Sequence, residues 1–216
     1  SKLGDMFLHD LDNKDEALKY FRESLRIFEE QQDIKELGEV LMIIGNIYHL
    51  KGKNDLAIEY VNEATRFINQ QGDKHDKAKS YSLLGDIYLA SDEYESAYDS
   101  YLKSYIAYQN DGYIEKAAIA LKNAGIAAVR QKKFRNALDL LDSSYLIAKT
   151  LELPQQQMLL QQEISETYTK TGNPEKSADS YQKYQKLKEK YENQKKQLLI
   201  KEQKESEKSS KINREL

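Results

Sequence analysis

The chain has 216 residues, of which 32% are charged, and a formal net charge of −3 at pH 7. Valine and proline are rare, whereas Leu, Ala, Lys, Glu and Gln are abundant, so the composition predicts an all-α fold with few interrupted helices. The mild negative charge argues against a nucleic-acid binder, and no run of about 18 apolar residues predicts a membrane span. The absence of cysteine excludes disulfides and thiolate metal ligands, and the N-terminal segment lacks the basic and apolar regions of a signal peptide.

The chain repeats itself at a fixed interval, a period of 40. Gly45, Gly85 and Gly125 are spaced by that interval, and Ser165 continues the series with a small residue. A fixed period of this length indicates an array of similar structural units that stack on one another. An earlier copy is visible in Gly4, Phe7, Ala17 and Phe21, and the other repeating positions are Tyr48, Tyr88, Ala128 and Tyr168, then Ala57, Ala97, Ala137 and Ser177, then Val61, Tyr101, Leu141 and Tyr181.

Each copy predicts two antiparallel helices joined by a short turn. Apolar residues recur at helical spacing within a copy, and turn segments such as KGKND (51–55) and TGNPE (171–175) separate its two halves. Both prolines fall in the breaks between helices, at first-turn positions of the helix that follows. We therefore expect about five helical hairpins within residues 1–187. The predicted repeats cover about 1–33, 34–73, 74–113, 114–153 and 154–187.

These positions resemble the tetratricopeptide repeat, in which Leu-Gly-x-x-Tyr lies on a first helix A and Ala-x-x-x-Phe on a second helix B. The resemblance implies a right-handed α–α superhelix, a solenoid that binds proteins or peptides and has no catalytic activity. A period of 40 rather than 34 implies longer helices and would also suit HEAT-type repeats, but small residues at both helix crossings favour the tetratricopeptide assignment. In this chain the motif stands as Ile44-Gly45…Tyr48 with Ala57…Val61, and as Leu84-Gly85…Tyr88 with Ala97…Tyr101; the Trp and the closing Pro of the consensus are absent.

The resemblance also implies a partner-binding groove on the A helices. Asn46 matches the Asn of the family's carboxylate clamp. The positions where that clamp has basic residues are occupied here by Met42, Leu83 and Ile119. A clamp for a peptide's terminal carboxylate is therefore disfavoured, and the mixed polar and apolar lining suits a peptide or a partner helix. The candidate groove residues are Met42, Asn46, His49, Leu83, Asp86, Leu89, Lys122, Asn123, Ile126, Gln162 and Glu166.

The residues give little reason to expect catalysis, a metal or a cofactor. His9 and His49 are one repeat period apart, but no third ligand of suitable type accompanies them. No nucleophile lies in a strand–turn–helix motif, and the chain has no glycine-rich phosphate loop. The prediction is a protein that is not an enzyme and has no cofactor or metal ligand.

One helix carries a continuous row of tyrosines. Tyr94, Tyr98, Tyr101, Tyr105 and Tyr108 follow one another at steps of three and four residues. The row predicts a core between repeats, in which the rings pack and the hydroxyls reach the rim. Because tyrosine is also enriched at protein interfaces, a partner-binding role is the alternative.

The last segment differs from the repeats. Residues 188–216 hold no Gly or Pro, and they predict a charged C-terminal helix or coiled-coil linker. Few apolar residues recur at heptad-like spacing on this helix. We therefore expect a helix of marginal stability that forms a weak homodimer. The apolar positions are Tyr184, Leu187, Tyr191 and Leu198. An apolar Leu216 predicts that the natural chain continues beyond it.

A repeat array that runs into such a helix resembles the sensor region of bacterial signalling proteins, especially kinases and regulators of the Bacteroidetes type. The resemblance implies that the segment senses a partner and passes a change to an output module. The alternative is a free-standing adaptor or scaffold. Sensor regions of this kind are usually extracytoplasmic, whereas free-standing repeat scaffolds are mostly cytoplasmic, so the compartment stays open.

Overall fold

A computed structural model describes residues 14–71 and 73–215, with side chains for 14–70 and 73–205. Every regular element in this part of the chain is an α-helix, which confirms the predicted all-α fold. The segment with Gly4, Phe7 and His9 lies outside the described residues. The helices are α1 (Lys14–Gln31), α2 (Ile34–Leu50), α3 (Asn54–Gln71), α4 (Lys74–Ala90), α5 (Tyr94–Asn110), α6 (Ile114–Arg130), α7 (Phe134–Thr150), α8 (Pro154–Lys170) and α9 (Pro174–Glu215).

The helices keep the period of the sequence. The A helices α2, α4, α6 and α8 begin at 34, 74, 114 and 154, and the B helices α3, α5, α7 and α9 begin at 54, 94, 134 and 174. The described chain thus holds four successive pairs of an A helix and a B helix and, in α1, the B helix of the first copy. Both prolines occupy first-turn positions of their helices, where the missing N–H has no partner to lose.

In the part of the chain that the structure describes, one backbone motif closes seven turns between successive helices. After α2, Gly52 has φ 69°, and the N–H of Lys53 donates to the carbonyl of Tyr48 at 3.0 Å. This is the Schellman helix end, which satisfies carbonyls left without partners in the last turn. Local turn chemistry therefore decides where each helix stops. The same left-handed position recurs at Gln32, Asp92, Gly112, Lys132, Glu152 and Gly172.

The two helices of a hairpin cross where helix A carries glycine. A Cβ built on Gly45 would lie 2.4 Å from Cγ2 of Val61 and 3.2 Å from the carbonyl of Ala57. On α4, the ring of Tyr101 covers Gly85 in the same way. The glycines are needed because the B helix occupies the space of a side chain.

The tyrosine row of α5 belongs to the core. Tyr101 is 1% exposed and clusters with alanines of α5 and α6, and Tyr108 is buried among alanines of α4 and α6. Tyr98 and Tyr105 are half-buried against the same clusters. Tyr94, the first residue of the helix, belongs to neither of these clusters, and its hydroxyl donates to Asp92 at 2.6 Å. The core interpretation of the row therefore holds for its other four members.

A cluster of aromatic rings and a lysine connects the beginning of α6 to α4. The Lys116 ammonium donates to Nε2 of His75 at 3.0 Å, and the His75 ring lies 4.4 Å from the Tyr113 ring and 5.6 Å from the Tyr108 ring. Since an ammonium has no acceptor, His75 must be neutral with its proton on Nδ1, which is buried without a partner. Burial, followed by the charges of Lys79 and Lys116, lowers the pKa of His75 from its ordinary 6.5, and Asp76 and Asp73 oppose this.

We expect the thermal midpoint to fall as the pH drops through about 6.5, because protonation is easier in the unfolded chain than in the cluster. A group whose pKa is lower in the folded state contributes stability that is present above its unfolded pKa and is lost below it. The His75→Gln variant stays neutral and keeps an acceptor for Lys116, so its midpoint should depend less on pH. Melting curves between about pH 5 and pH 8 compare the two proteins, and parallel curves would contradict the assignment to His75.

The chain divides into two compact units at Leu140, within α7. The first unit contains α1–α6 with the beginning of α7, and the second contains the rest of α7 with α8 and α9. In the second unit Ser165 replaces the crossing glycine, and its Oγ donates to the carbonyl of Ser177 at 2.9 Å. Tyr181, at the position of Tyr101, is 52% exposed there.

Helix α9 continues without a break from the last hairpin to Glu215. Leu198, Leu199 and Ile200 are 56%, 50% and 43% exposed, so this stretch buries little apolar surface of its own. The division of the chain at residue 187 stays a prediction, because a single helix runs through that point. None of the described helices combines the length and the apolar character that crossing a membrane requires.

Candidate functional site

The candidate groove residues lie outside the core of their helices. On α4, for example, Leu84 and Ile87 are buried, whereas Leu83 and Leu89 are half-buried and Asp86 is exposed. We call the surface that the candidates form on α2, α4 and α6 the helix-A face. Its half-buried members are Met42, Asn46, His49, Leu83, Leu89, Lys122, Asn123 and Ile126.

Asp86 is the electrostatic centre of the helix-A face. Its Oδ1 accepts a hydrogen bond of 2.7 Å from the hydroxyl of Tyr101. Protein atoms largely surround the carboxyl group, although the residue keeps an open edge to solvent. This burial raises the pKa of Asp86, while the Tyr101 hydrogen bond and the Coulombic interactions with His49 and Lys122 act in the opposite direction. The pKa of Asp86 therefore depends on one candidate residue of α2 and one of α6.

The Tyr101 hydroxyl orients the Asp86 carboxylate by donating a hydrogen bond to it. Burial, and then the neighbouring Asp86 charge, raise the pKa of the Tyr101 hydroxyl above its ordinary value of 10.0. The hydroxyl consequently remains a hydrogen-bond donor at physiological pH. The side chain of Val61, at the same repeat position on α3, contains no hydrogen-bond donor. Asp86 thus owes its orientation to a residue of the core.

His49 is also held in place. Its Nδ1 lies 3.0 Å from Oδ1 of Asn54, the first residue of α3. The amide oxygen accepts, so Nδ1 carries the proton and Nε2 is left for another interaction. The other histidine of the predicted pair, His9, lies outside the described residues.

The two candidates in the second unit interact with each other. Gln162 donates through Nε2 to Oε1 of Glu166 at 3.0 Å, one turn along α8. Glu166 also borders a cavity of about 460 Å³ at the end of this hairpin, which Tyr181 and Pro174 help to line. The structure does not extend the Asp86 arrangement to these residues, and their role in a groove stays a prediction.

The sequence analysis missed Tyr101 as a member of the site. It placed this residue in the tyrosine row and considered its ring, whereas its hydroxyl reaches Asp86 across 15 residues of sequence. The available signal was the repeat alignment, in which Asp86 follows the crossing glycine and Tyr101 occupies the position that faces this glycine.

Comparison with known proteins identifies the fold. Two family models described as tetratricopeptide repeat match the chain, one over residues 36–110 and the other over residues 2–31. These matches, the register of the helices and the crossing glycines agree with one another. No curated protein matches the sequence significantly.

Solved structures share this architecture at low sequence identity. BtubC from P. vanneervenii superposes with a TM-score of 0.79 at 18% identity, over 88% of this chain and 78% of that chain. A putative kinesin light chain from Podosopora anserina has a TM-score of 0.75 at 14% identity, over 88% and 93%. A STAND signal-transduction ATPase with a tetratricopeptide repeat sensor, from Pyrococcus horikoshii, has a TM-score of 0.70 at 21% identity, over 85% of this chain but 29% of that chain.

Proposed function

Because this chain is a tetratricopeptide repeat protein, we propose that it binds a protein or peptide partner on the helix-A face around Asp86 and performs no catalysis itself. The fold supports a protein-interaction module. The observation that carries the location is the Asp86 carboxylate, which the Tyr101 hydroxyl holds at 2.7 Å on a face whose other members are half-buried. A buried core hydroxyl orients the central carboxylate, so the site is ordered before any partner arrives.

The surroundings of Asp86 indicate which partner groups fit. A carboxylate with one oxygen held by Tyr101 can accept a hydrogen bond from a cationic or amide side chain. Met42, Leu83 and Ile126 are half-buried and supply apolar contact on the same face. The partner segment therefore presents one donor between apolar side chains, as a helix or an extended peptide does.

Asp86→Asn is expected to weaken partner binding and to leave the thermal midpoint at pH 7 unchanged or slightly higher. A carboxyl whose pKa is raised in the folded state favours folding only at low pH, and at neutral pH its charge opposes folding. The asparagine keeps an acceptor oxygen for Tyr101. Asp86→Lys should abolish binding, since it places a second cation beside Lys122. Melting curves and binding assays on the three proteins check this, and a clear loss of stability in Asp86→Asn would contradict it.

A cross-linking experiment tests the location of the partner. The chain has no cysteine, so a single cysteine at Ile126 accepts a photoreactive label at one position only. The matched control carries its cysteine at Ile27 of α1, which is 41% exposed and lies off the helix-A face. We expect one partner to be attached at position 126, and Asp86→Lys to prevent this. Identical products from both positions, or products unaffected by Asp86→Lys, would refute the proposal.

At a finer level, we propose that the chain is the sensor or interaction region of a larger bacterial signal-transduction protein. The long α9 supports this, as does the use of the same fold by a repeat sensor in the signal-transduction ATPase. The alternative is a free-standing cytoplasmic adaptor. The sequence of the encoding gene after Leu216 decides between them. An apolar run of about 20 residues followed by an output domain would support the sensor, whereas a stop codon would support the adaptor.

The exposed part of α9 is the proposed site of a weak homodimer. Leu198 and Leu199 are each at least half exposed, and a second copy could cover them in a coiled coil. We expect concentration-dependent association of the full chain and none of a chain that ends at Glu192. Sedimentation of both proteins measures this, and a full chain that stays monomeric at high micromolar concentration would disprove the dimer.

A further inference from the structure

A large cavity of the first unit lies on the other side of α4 from Asp86. Leu84 and Asp86 are two residues apart, which places them about 200° apart around the helix. Tyr81, Leu84 and Tyr88 form the floor of a groove of about 860 Å³, and α3 and α5 form its walls. A second hollow of about 380 Å³ shares Tyr81 and Lys103 with it and reaches Lys74. We call the two together the outer groove.

The outer groove is long enough for a helix. Its floor follows α4 from Lys74 to Tyr88, which corresponds to about 21 Å or four turns. The two tyrosines lie seven residues apart on one face of α4, so two aromatic rings are available at the spacing of two helical turns. Their half-buried rings give apolar contact that the wall residues do not cover.

The charges of the outer groove are separated along its length. Glu59, Glu63 and Asp99 line the half next to Tyr88, whereas Arg66, Lys103 and Lys77 line the half next to Lys74. The one carboxylate that lines the basic half, Asp111, is paired with Lys74 at 3.9 Å. This order follows from the helix directions, because α3 and α5 run together and α4 runs against them. The groove is therefore acidic at one end and basic at the other.

These charges are not neutralised within the described part of the protein. Glu59, Glu63, Asp99 and Arg66 form none of its ion pairs within 4.0 Å, although Arg66 follows Glu63, and Lys103 follows Asp99, by about one helical turn. The Lys103 ammonium lies over the face of the Tyr81 ring, at 5.9 Å from its centre. Unpaired charges of both signs around an aromatic floor are typical of a surface that a complementary partner neutralises.

We propose that the outer groove docks an amphipathic partner helix of about four turns, acidic at one end and basic at the other, with leucine-type side chains on the face toward Tyr81 and Tyr88. Acidic residues in the first turns and basic residues in the last are the ordinary composition of a stable helix, so such a partner needs no unusual sequence. This surface is separate from the helix-A face, and the proposal does not depend on the partner proposed there.

Two synthetic peptides of equal length, each long enough for about four helical turns, test the proposal. Both contain the same four leucines at helical spacing and the same glutamates and lysines. One has its glutamates in the first half and its lysines in the second, and in its isomer the two alternate. Fluorescence anisotropy at low salt measures the binding of each peptide to the full chain, since exposed charges are screened at high salt. We expect the segregated peptide to bind about tenfold more tightly than its isomer, a difference that several partly exposed charge pairs can supply.

Variants of the walls locate the bound peptide. Glu63→Lys with Asp99→Lys should remove the preference for the segregated peptide, and Arg66→Glu with Lys103→Glu provides an independent pair if the first fails to fold. The matched control is Glu16→Lys with Glu29→Lys, two exposed glutamates of α1, which changes the net charge equally and should leave the preference intact. Equal binding of the two peptides, no binding at millimolar concentration, or a preference abolished by this control would each overturn the proposal. The cross-link from position 126 is independent of all these variants, so either proposed surface can fail alone.

Discussion

Replacement of Gly85 by leucine is expected to destabilise the protein by about 1–3 kcal/mol, because it overpacks a helix crossing. A Cβ at this position would lie 2.6 Å from two carbons of the Tyr101 ring. That ring is 1% exposed and clusters with Ala124 and Ala127 of the next helix, so it has no free space to move into. For a chain of this size the expected decrease in the thermal midpoint is about 2–12 °C.

The control for this substitution is Gln109→Leu on α5, an exposed helical position that receives the same side chain. Its midpoint should change by no more than about 1 °C, as surface substitutions usually do. Gly85→Ser is the informative intermediate, because serine stands at the same position of the last hairpin. Equal melting of Gly85→Leu and the control would mean that the crossing tolerates a side chain.

Truncation of Tyr101 to alanine should have the larger effect, about 3–5 kcal/mol, as expected for the loss of a buried aromatic ring. The substitution empties the space over Gly85 and removes the donor to Asp86. Tyr101→Phe separates the two contributions, since it keeps the ring and leaves the carboxylate without its hydrogen bond. We expect the phenylalanine variant to lose about 1–2 kcal/mol. The unfolding free energy is measured by urea denaturation.

Tyr181→Ala provides a matched control within the same chain. It removes the same side chain from the same repeat position, but Tyr181 is 52% exposed, so the expected loss is below about 1 kcal/mol. If Tyr101→Ala and Tyr181→Ala lower the unfolding free energy equally, the burial of the ring over the crossing glycine is not what stabilises this hairpin.

Tyr101 links the stability of the first unit to its candidate site. One face of its ring covers Gly85, and its hydroxyl orients Asp86, the next residue on α4. A change in the packing of α5 against α4 therefore moves the carboxylate that the proposed partner contacts. Binding at Asp86 and stability of the hairpin are expected to be coupled through this residue.

The sequence alone determined the class of fold, its family and its period. Apolar spacing, small residues at the crossings and turn segments act within a single helical hairpin, and local hydrogen bonds such as that from Lys53 to Tyr48 end the helices where those segments stand. The regular starts of the A helices, at 34, 74, 114 and 154, follow from this local chemistry. The proposed groove residues on α8 and the boundary at 187 remain predictions from sequence.

Only the tertiary structure decided which side chains meet. The sequence shows tyrosines at 101 and 181, but one is buried over Gly85 and against alanines of the next helix, whereas the other is 52% exposed. It shows Asp86, but not that the Tyr101 hydroxyl donates to its carboxylate, nor that α3 and α5 enclose a groove of segregated charge on the other side of α4. These relations depend on how separate helices pack against one another, which periodicity along the chain does not specify.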